Sequence, residues 1–190
     1  MTKIAIILGS TRPGRNGKQV ADWVLAEASK RSDAEFELVD LVDYPLPHLD
    51  EALPASMGQY QGEHTKRWAA KIAEFDGYVF VTPEYNHSTS GVLKNAIDYL
   101  NREWNNKAAA FVGYGGVGGA RAIEHLRLVL AELQVATVRQ TLTLSLLTEF
   151  ESFSVFTPSD AQLGFLDTML DQLVAWSKAL EGVRAEALVA

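Results

Sequence analysis

The sequence feature that most constrains the fold is a short apolar run that stops abruptly at a glycine-rich polar loop. The run Ile4-Ala5-Ile6-Ile7-Leu8 is apolar at every position and rich in β-branched residues, which predicts a strand buried on both faces of a parallel sheet. The loop GSTRPGRNG follows at 9–17, and a helix is predicted from Lys18. This order predicts a phosphate site, because free backbone N–H groups and the helix dipole point at one spot.

The loop is neither of the two best-known phosphate-binding motifs. Gly9 and Gly14 have the separation of a P-loop, but Arg15 and Asn16 stand where Lys and Ser or Thr are required. The G-x-G-x-x-G spacing of dinucleotide-binding turns is also absent. Its hydroxyls, amide and arginines fit a single terminal phosphate, as on a mononucleotide. An ordinary βα turn with solvated arginines is the alternative.

Length and composition indicate one acidic globular domain over 1–190. A chain of 190 residues with 47% hydrophobic and 22% charged residues is long enough for a sizeable core. The formal net charge of −7 argues against non-specific binding to nucleic acid and against docking on an anionic membrane. Because the sequence has no cysteine, a redox role requires a bound organic cofactor.

The sequence predicts neither a metal site nor a membrane segment. The four histidines lie in different segments without a paired ligand spacing. No apolar stretch reaches the roughly 20 residues of a membrane span, and 1–8 lacks the pattern of a signal peptide. We therefore expect a cytoplasmic protein.

Apolar strand patterns alternate with amphipathic helix patterns along the chain. Predicted strands cover 4–8, 36–39, 78–81, 108–112 and 136–138, the last continuing into an extended 141–144. Predicted helices cover 18–31, 63–75, 92–101, the segment from Gly119 through Leu133, and a last helix opened by Thr157-Pro158-Ser159-Asp160. This alternation predicts an α/β fold with a parallel sheet, helices on both faces and right-handed crossovers.

Two segments have no predicted regular structure, and the bulky aromatic residues of the helices are expected to be buried. The stretch 43–61 is a long loop of the kind that often carries function, and a loop holding Phe150, Phe153 and Phe156 precedes the last helix. We expect Trp68, Phe75 and Trp176 in the core or at a subunit interface.

Three unusual loops follow the first, third and fourth strands. The second of them, PEYNHSTSG at 83–91, offers backbone amides, a tyrosine ring and polar side chains to a planar heterocycle. The third, GYGGVGG at 113–119, lets the backbone approach a ring closely because glycine has no side chain. Since ligands of such folds bind beyond the carboxyl ends of the strands, these loops predict a single site.

These motifs resemble the NADPH-dependent FMN reductase family of the flavodoxin-like superfold. The matching pieces are GSTRPGR, TPEYNHS, GVLKNAIDYL and GYGGVGGARA, and they span Lys3 to about Leu144. The resemblance implies a three-layer α/β/α sandwich with a five-stranded parallel sheet in the order 2-1-3-4-5. It also implies three groups of FMN-binding residues. The phosphate group comprises Ser10, Thr11, Arg12, Asn16 and Gly17; the isoalloxazine groups comprise Pro83, Glu84, Tyr85, Asn86 and His87 on one side and Gly113, Tyr114, Gly115 and Gly116 at the other edge.

The resemblance further implies a redox activity that belongs to the flavin. Hydride would pass from NADPH or NADH through bound FMN to a small acceptor such as free flavin, a quinone, an azo compound or chromate. Tyr85 and His87 are candidate proton donors, and Arg12, Arg15 and Arg121 are candidates for the extra phosphate of NADPH. Members of the family usually form dimers or tetramers, so a homo-oligomer is expected.

Three other interpretations remain open at this stage. The segment 113–118 matches the dinucleotide fingerprint literally, with Arg139 about where a 2′-phosphate partner would sit, although that fingerprint normally belongs to the first βα turn. A flavodoxin-type electron carrier would share the fold and FMN but have no nicotinamide site of its own. A non-enzymatic binding or regulatory module is the third, since fold alone does not decide function.

Overall fold

A five-stranded parallel sheet forms the centre of the structure, a computed structural model that describes residues 1–187. Its strands run in the order β2-β1-β3-β4-β5, and every neighbouring pair is parallel. This arrangement confirms the predicted α/β fold and its strand order. The strand bounds are β1 Lys3–Leu8, β2 Glu35–Asp40, β3 Gly77–Pro83, β4 Ala108–Gly115 and β5 Ala136–Ser145.

Helices cover the sheet on both faces and complete the three predicted layers. Their bounds are α1 Gly17–Ala28, α2 Glu63–Ala73, α3 Gly91–Asp98, α4 Ala120–Glu132 and α5 Asp160–Ala187. One core packs α1 and α5 against the sheet, and the other packs α2, α3 and α4 against the opposite face. The run in β1 serves both cores, since Ile4, Ile6 and Leu8 enter the first and Ala5 and Ile7 the second.

The loop predicted to hold three phenylalanines contains a short antiparallel hairpin, β6 Phe150–Glu151 and β7 Val155–Phe156. The hairpin could not be predicted, because strands of two residues are too short to show an alternation of apolar and polar side chains. The last helix begins at Asp160, two residues later than the proline-first start predicted from Pro158. Just ahead of the helix, the Ser159 N–H donates to the buried Glu149 carboxylate at 2.9 Å.

The stretch 43–61 is ordered by contacts with α2 and α3 and contains a 3-10 turn at Ala55–Met57. Tyr99 Oη donates to Asp50 Oδ1 at 2.9 Å and lies 3.1 Å from the Pro47 carbonyl oxygen. The Glu51 carboxylate accepts from the backbone N–H groups of Gln61 and Gly62, both at 2.9 Å. These hydrogen bonds hold the proline-rich loop in place.

The tryptophans divide between core and surface in a way the sequence predicted only in part. Trp68 and Phe75 are buried as expected, and Trp104, which was not singled out, is also fully buried. Trp176 is 47% exposed on α5, so its assignment to the core was wrong, whereas the interface alternative stays a prediction. Among residues 1–187, no helix combines the length and apolar character needed to cross a membrane.

Candidate active site

The three unusual loops contact one another at the carboxyl edge of the sheet. Ser10 Oγ, after β1, lies 3.0 Å from Tyr85 Oη, after β3. The Glu84 N–H donates to the Tyr114 carbonyl in β4 at 3.1 Å. The loops converge because β1, β3 and β4 are neighbours in the sheet.

One cavity of about 420 Å³ lies between these loops. Nine of the residues predicted for cofactor or nicotinamide binding contribute to its wall. They are Arg12, Arg15, Asn16, Pro83, Glu84, Tyr85, Tyr114, Gly115 and Gly116. The structure therefore brings most of the predicted residues of all three loops to a single place.

The remaining predicted residues do not line this cavity. Ser10, Gly17 and Gly113 are buried beneath its wall. Thr11 instead lines a separate cavity of about 350 Å³ between the start of α3 and the chain that follows β2. Asn86 and His87 are exposed outside the wall.

Asn86 and His87 occupy the turn of the β3–α3 loop. Both have left-handed backbone conformations, with φ of 49° and 73°. Such conformations are unusual for residues other than glycine, and here the backbone bonds between Tyr85 and Ser88, of 2.9 and 3.2 Å, close the turn. The turn directs the His87 side chain toward α4, where Arg121 Nη1 donates to His87 Nδ1 at 3.1 Å.

Arg121 belongs to an ion pair beside the cavity. Its Nε donates to Glu84 Oε1 at 2.6 Å, and its backbone N–H, in the first turn of α4, donates to Glu84 Oε2 at 3.1 Å. The Glu84 side chain is only 5% exposed, whereas that of Arg121 is 45% exposed. A buried carboxylate is thus neutralised by one guanidinium and by a helix N-terminus.

Arg15 is also paired with a carboxylate. Its guanidinium makes a bidentate contact with Asp40 at the end of β2, with N–O distances of 2.9 and 2.5 Å, and it also donates to the Ser10 carbonyl. Both side chains are 14% exposed. Arg15 therefore braces the β1–α1 loop against β2. Of the three arginines predicted for the NADPH phosphate, Arg12 alone has no carboxylate partner within the described part of the chain.

Tyr114 presents a buried hydroxyl that has no hydrogen-bond partner among residues 1–187. The hydroxyl lies against Gly17, where an added Cβ would collide with it. Burial raises the pKa of Tyr114, and the neighbouring Tyr85 raises it further. The hydroxyl is enclosed beneath the first turn of α1, so Tyr114 supports this turn from below and requires glycine at position 17.

The cavity has the chemistry and space for a phosphorylated planar molecule. The N-terminus of α1 and the Arg12 side chain supply N–H groups and positive charge to an anion. At the opposite wall, a Cβ built on Gly116 would meet no atom within 4 Å, so a ring can approach the backbone there. These features fit FMN, which combines a terminal phosphate with a flat ring.

Four residues of the wall were missing from the sequence prediction, namely Gly14, Leu146, Phe153 and Ser154. Gly14 lies within the predicted loop. Leu146 directly follows β5, so its place at the carboxyl edge could have been inferred from topology. Phe153 and Ser154 belong to the hairpin, and no local pattern indicates that it folds back over α1.

Comparison with known proteins identifies relatives of this chain. The family model for NADPH-dependent FMN reductases matches residues 2–148. An NAD(P)H-dependent FMN reductase of Schizosaccharomyces pombe is 42% identical over 146 residues, which cover 75% of this chain and 73% of the relative. A quinone reductase of Escherichia coli is 31% identical over 200 aligned positions, covering 96% of this chain and 97% of the relative.

Solved structures support the fold. The flavoenzyme NAD(P)H:(acceptor) oxidoreductase FerB of Paracoccus denitrificans superimposes with a TM-score of 0.72 at 24% identity, covering 91% of this chain and 97% of that chain. Flavodoxin 1 of Bacillus cereus has a TM-score of 0.56 at 19% identity, covering 94% of this chain and 98% of that chain. With a family match over most of its length, this chain belongs to the NADPH-dependent FMN reductase family of flavodoxin-like oxidoreductases.

Proposed function

We propose that the chain binds FMN in the 420 Å³ cavity and catalyses hydride transfer from NADPH or NADH to a small acceptor. The single observation that supports this most strongly is the convergence of the β1, β3 and β4 loops on one cavity. In this proposal the N–H groups of the first turn of α1, beginning at Gly17, bind the phosphate of FMN. Ser10 fixes the wall from beneath, because its Oγ contacts Tyr85 Oη and accepts from the Arg12 N–H.

The other two loops hold the ring of the cofactor. When bound, FMN supplies the chemistry of accepting a hydride and passing on electrons. Pro83, Glu84 and Tyr85 form one side of its site, and Gly115 and Gly116 the other. Backbone N–H groups of these loops would stabilise negative charge on the pyrimidine edge. As proton donor we favour Tyr85 over His87, because Tyr85 lines the cavity and the His87 ring is bonded to Arg121.

The proposed hydride donor is a reduced nicotinamide, and Arg12 is the side chain best placed for the extra phosphate of NADPH. It is exposed at the cavity, without a carboxylate to neutralise it in the described part of the chain. For the acceptor we propose a quinone or a free flavin. Support comes from the names of relatives, which include a 2-hydroxy-1,4-benzoquinone reductase of Burkholderia, 37% identical over 147 residues.

Anaerobic spectroscopy of the purified protein tests this function. We expect the protein to bind FMN with a shifted flavin spectrum, and NADPH or NADH to bleach the flavin absorbance. Steady oxidation of NADPH with menadione or free FMN would then distinguish an enzyme from a flavodoxin-type carrier. A preparation that does not take up FMN would contradict the proposal and favour a non-enzymatic module.

We also propose that the protein is a cytoplasmic homodimer or homotetramer. An apolar surface around the 350 Å³ cavity supports self-association. Val42 and Val92 line this cavity and are 50% and 37% exposed. Leu49 is also 50% exposed, and its N–H donates to the Asn95 side chain in the same wall. Use of a reduced nicotinamide supports the cytoplasmic location. Light scattering should give a mass in solution that is a multiple of the 20.9 kDa chain mass. The Val92→Lys variant should have a mass closer to that of the monomer. A monomeric wild type would contradict this proposal.

A further inference from the structure

The hairpin β6–β7 forms a fourth wall of the cavity, in addition to the three loops of the sheet. Phe153 and Ser154, at the hairpin turn, line the cavity together with Gly14 and Asn16 of the β1–α1 loop. Phe153 is 61% exposed as a residue. An aromatic ring at the mouth of a cavity gains apolar contact only when the cavity is filled, which gives the hairpin a role toward the ligand.

Side chains at the start of α1 hold the hairpin in place. Asn16 Nδ2 donates to the Phe153 carbonyl at 2.7 Å. The Gln19 amide makes two bonds, since its Nε2 donates to the Ser154 carbonyl at 2.8 Å and its Oε1 accepts from the Phe156 N–H at 3.1 Å. Gln19 thus satisfies one acceptor and one donor of the hairpin, as a neighbouring strand would.

The hairpin is positioned by these contacts together with Phe150, which is buried in the core shared with α1 and α5. Its strands have two residues each, and an isolated hairpin of that size is not stable in water. Ser152 and Phe153 have left-handed backbone conformations, with φ of 49° and 58°, which surrounding contacts must maintain. Packing of the Trp23 ring against Phe156, with centroids 5.4 Å apart, adds an apolar contact to α1.

We propose that the hairpin retains FMN in the cavity, with Gln19 as the residue that positions it and Phe153 as the ring that limits the escape of the cofactor. This inference rests on the proposed function, because it names a further segment of the same site. Asn16 then acts on the cofactor through the hairpin, since its amide donor is bonded to Phe153. Weakening the attachment of the hairpin should accelerate FMN dissociation while leaving the sheet and its two cores intact.

The rate of FMN release tests this inference. The FMN-loaded protein is diluted, and the recovery of flavin fluorescence is followed for wild type, Gln19→Ala and Phe153→Ala. Losing the two bonds of Gln19 should accelerate release about tenfold, with the melting temperature of the FMN-free protein unchanged. Phe153→Ala should also accelerate release. The fold-increase in release rate of the double variant should not exceed the fold-increases of the two single variants multiplied together.

Two exposed neighbours serve as matched controls. Asp22→Ala changes an exposed residue one turn further along α1, whose side chain pairs with Lys18. Leu147→Ala removes an apolar side chain that is 71% exposed and outside the cavity wall. Both should release FMN at the wild-type rate. If Gln19→Ala releases FMN at the wild-type rate, the proposed role of the hairpin is overturned but the proposed function is not. A wild type that binds no FMN would overturn the proposed function as well.

Discussion

Glu84 shows how a single residue links the cavity to the stability of the fold. Its nearly buried carboxylate depends on Arg121 and on the first turn of α4 for compensation. Removing a partner from a buried charge costs more than the pair contributes, because the remaining charge is left without compensation. The two side chains should therefore behave as a coupled unit in unfolding experiments.

We predict that Arg121→Ala lowers the free energy of unfolding by about 2 kcal/mol. Glu84→Gln should restore part of this loss when combined with Arg121→Ala, because no charge is then left buried. Urea denaturation of the FMN-free single and double variants measures the coupling. Arg139→Ala, on the exposed side of β5, is the control and should have little effect. Additive losses in the double variant would contradict the coupling.

Lys107 is a buried ionisable residue that directly precedes β4, at the amino ends of the strands and so at the far side of the sheet from the cavity. It is 6% exposed, and its Nζ donates to the Ile72 carbonyl at 3.2 Å and to Tyr78 Oη at 3.0 Å. Burial, reinforced by the nearby Arg184 guanidinium, lowers the pKa of Lys107 to about 8. In the unfolded chain the pKa of a lysine is about 10.4.

This difference predicts a gain of stability at alkaline pH. Between the folded and unfolded pKa values the unfolded chain binds more protons, so the free energy of unfolding rises with pH. From pH 7 to 9.5 the wild type should gain about 2 kcal/mol relative to Lys107→Met. Denaturant titrations across this range measure the difference, with the exposed Lys178→Met as control. Parallel pH profiles for wild type and Lys107→Met would refute the prediction.

At the scale of elements, the loop between β4 and α4 contains two kinds of glycine. One kind is required by the backbone of the fold, and the other faces the cavity. Gly119 has φ of 76°, and an added Cβ would lie 2.7 Å from the Tyr114 backbone nitrogen. Gly116, by contrast, has open space at the Cβ position and lines the cavity. The same residue type thus serves two different purposes within four positions of the chain.

Alanine at these two positions should therefore affect different properties of the protein, namely stability at position 119 and FMN binding at position 116. Gly119→Ala should lower the free energy of unfolding by about 2–3 kcal/mol, because the backbone conformation and the close contact both oppose a side chain. Gly116→Ala should leave the stability of the FMN-free protein unchanged and weaken FMN binding about tenfold, since the methyl group occupies space intended for the ring. Thermal unfolding and FMN titration test both, and an unchanged FMN affinity of Gly116→Ala would contradict the ring position.

The elements also show what the sequence could predict. Apolar runs such as 4–8 and 108–112 specified the strands, and polar loops after three of them indicated a site at the carboxyl edge, because strand periodicity and turn chemistry are local properties. The salt bridge from Arg15 to Asp40 and the bonds from Gln19 to the hairpin join residues far apart in sequence. Such contacts depend on the assembled sheet, so the sequence alone assigned Arg15 to a ligand and left the hairpin without a role.

At the scale of the whole molecule, α5 completes one face of the sheet although it follows the stretch 2–148 matched by the family model. It contributes five buried apolar side chains to the core shared with α1, namely Leu166, Met169, Leu170, Leu173 and Val174. Without α5, the apolar side chains of β3, β4 and β5 on this face would be exposed to water. The packing of α5 therefore joins it to the same core as α1 and the sheet; that 1–190 forms one domain stays a prediction.

We predict that a chain ending at residue 148 does not fold. Losing five buried apolar side chains removes on the order of 10 kcal/mol, comparable to the total stability of an ordinary domain. Circular dichroism and tryptophan fluorescence should show one coincident unfolding transition for the full chain and none for the shortened chain. A cooperative transition in the shortened chain would mean that α5 is dispensable for folding.

The position of the hairpin β6–β7 has a consequence for how such proteins diversify. It begins at Phe150, just beyond the matched stretch 2–148, and it is joined to α1 by side-chain bonds rather than by the sheet. Exchanging the turn residues 152–154 alters one wall of the cavity without disturbing strand register or the core in which Phe150 is buried. Cofactor residence time is thereby open to separate adjustment by evolution or protein engineering, while the catalytic framework is inherited unchanged.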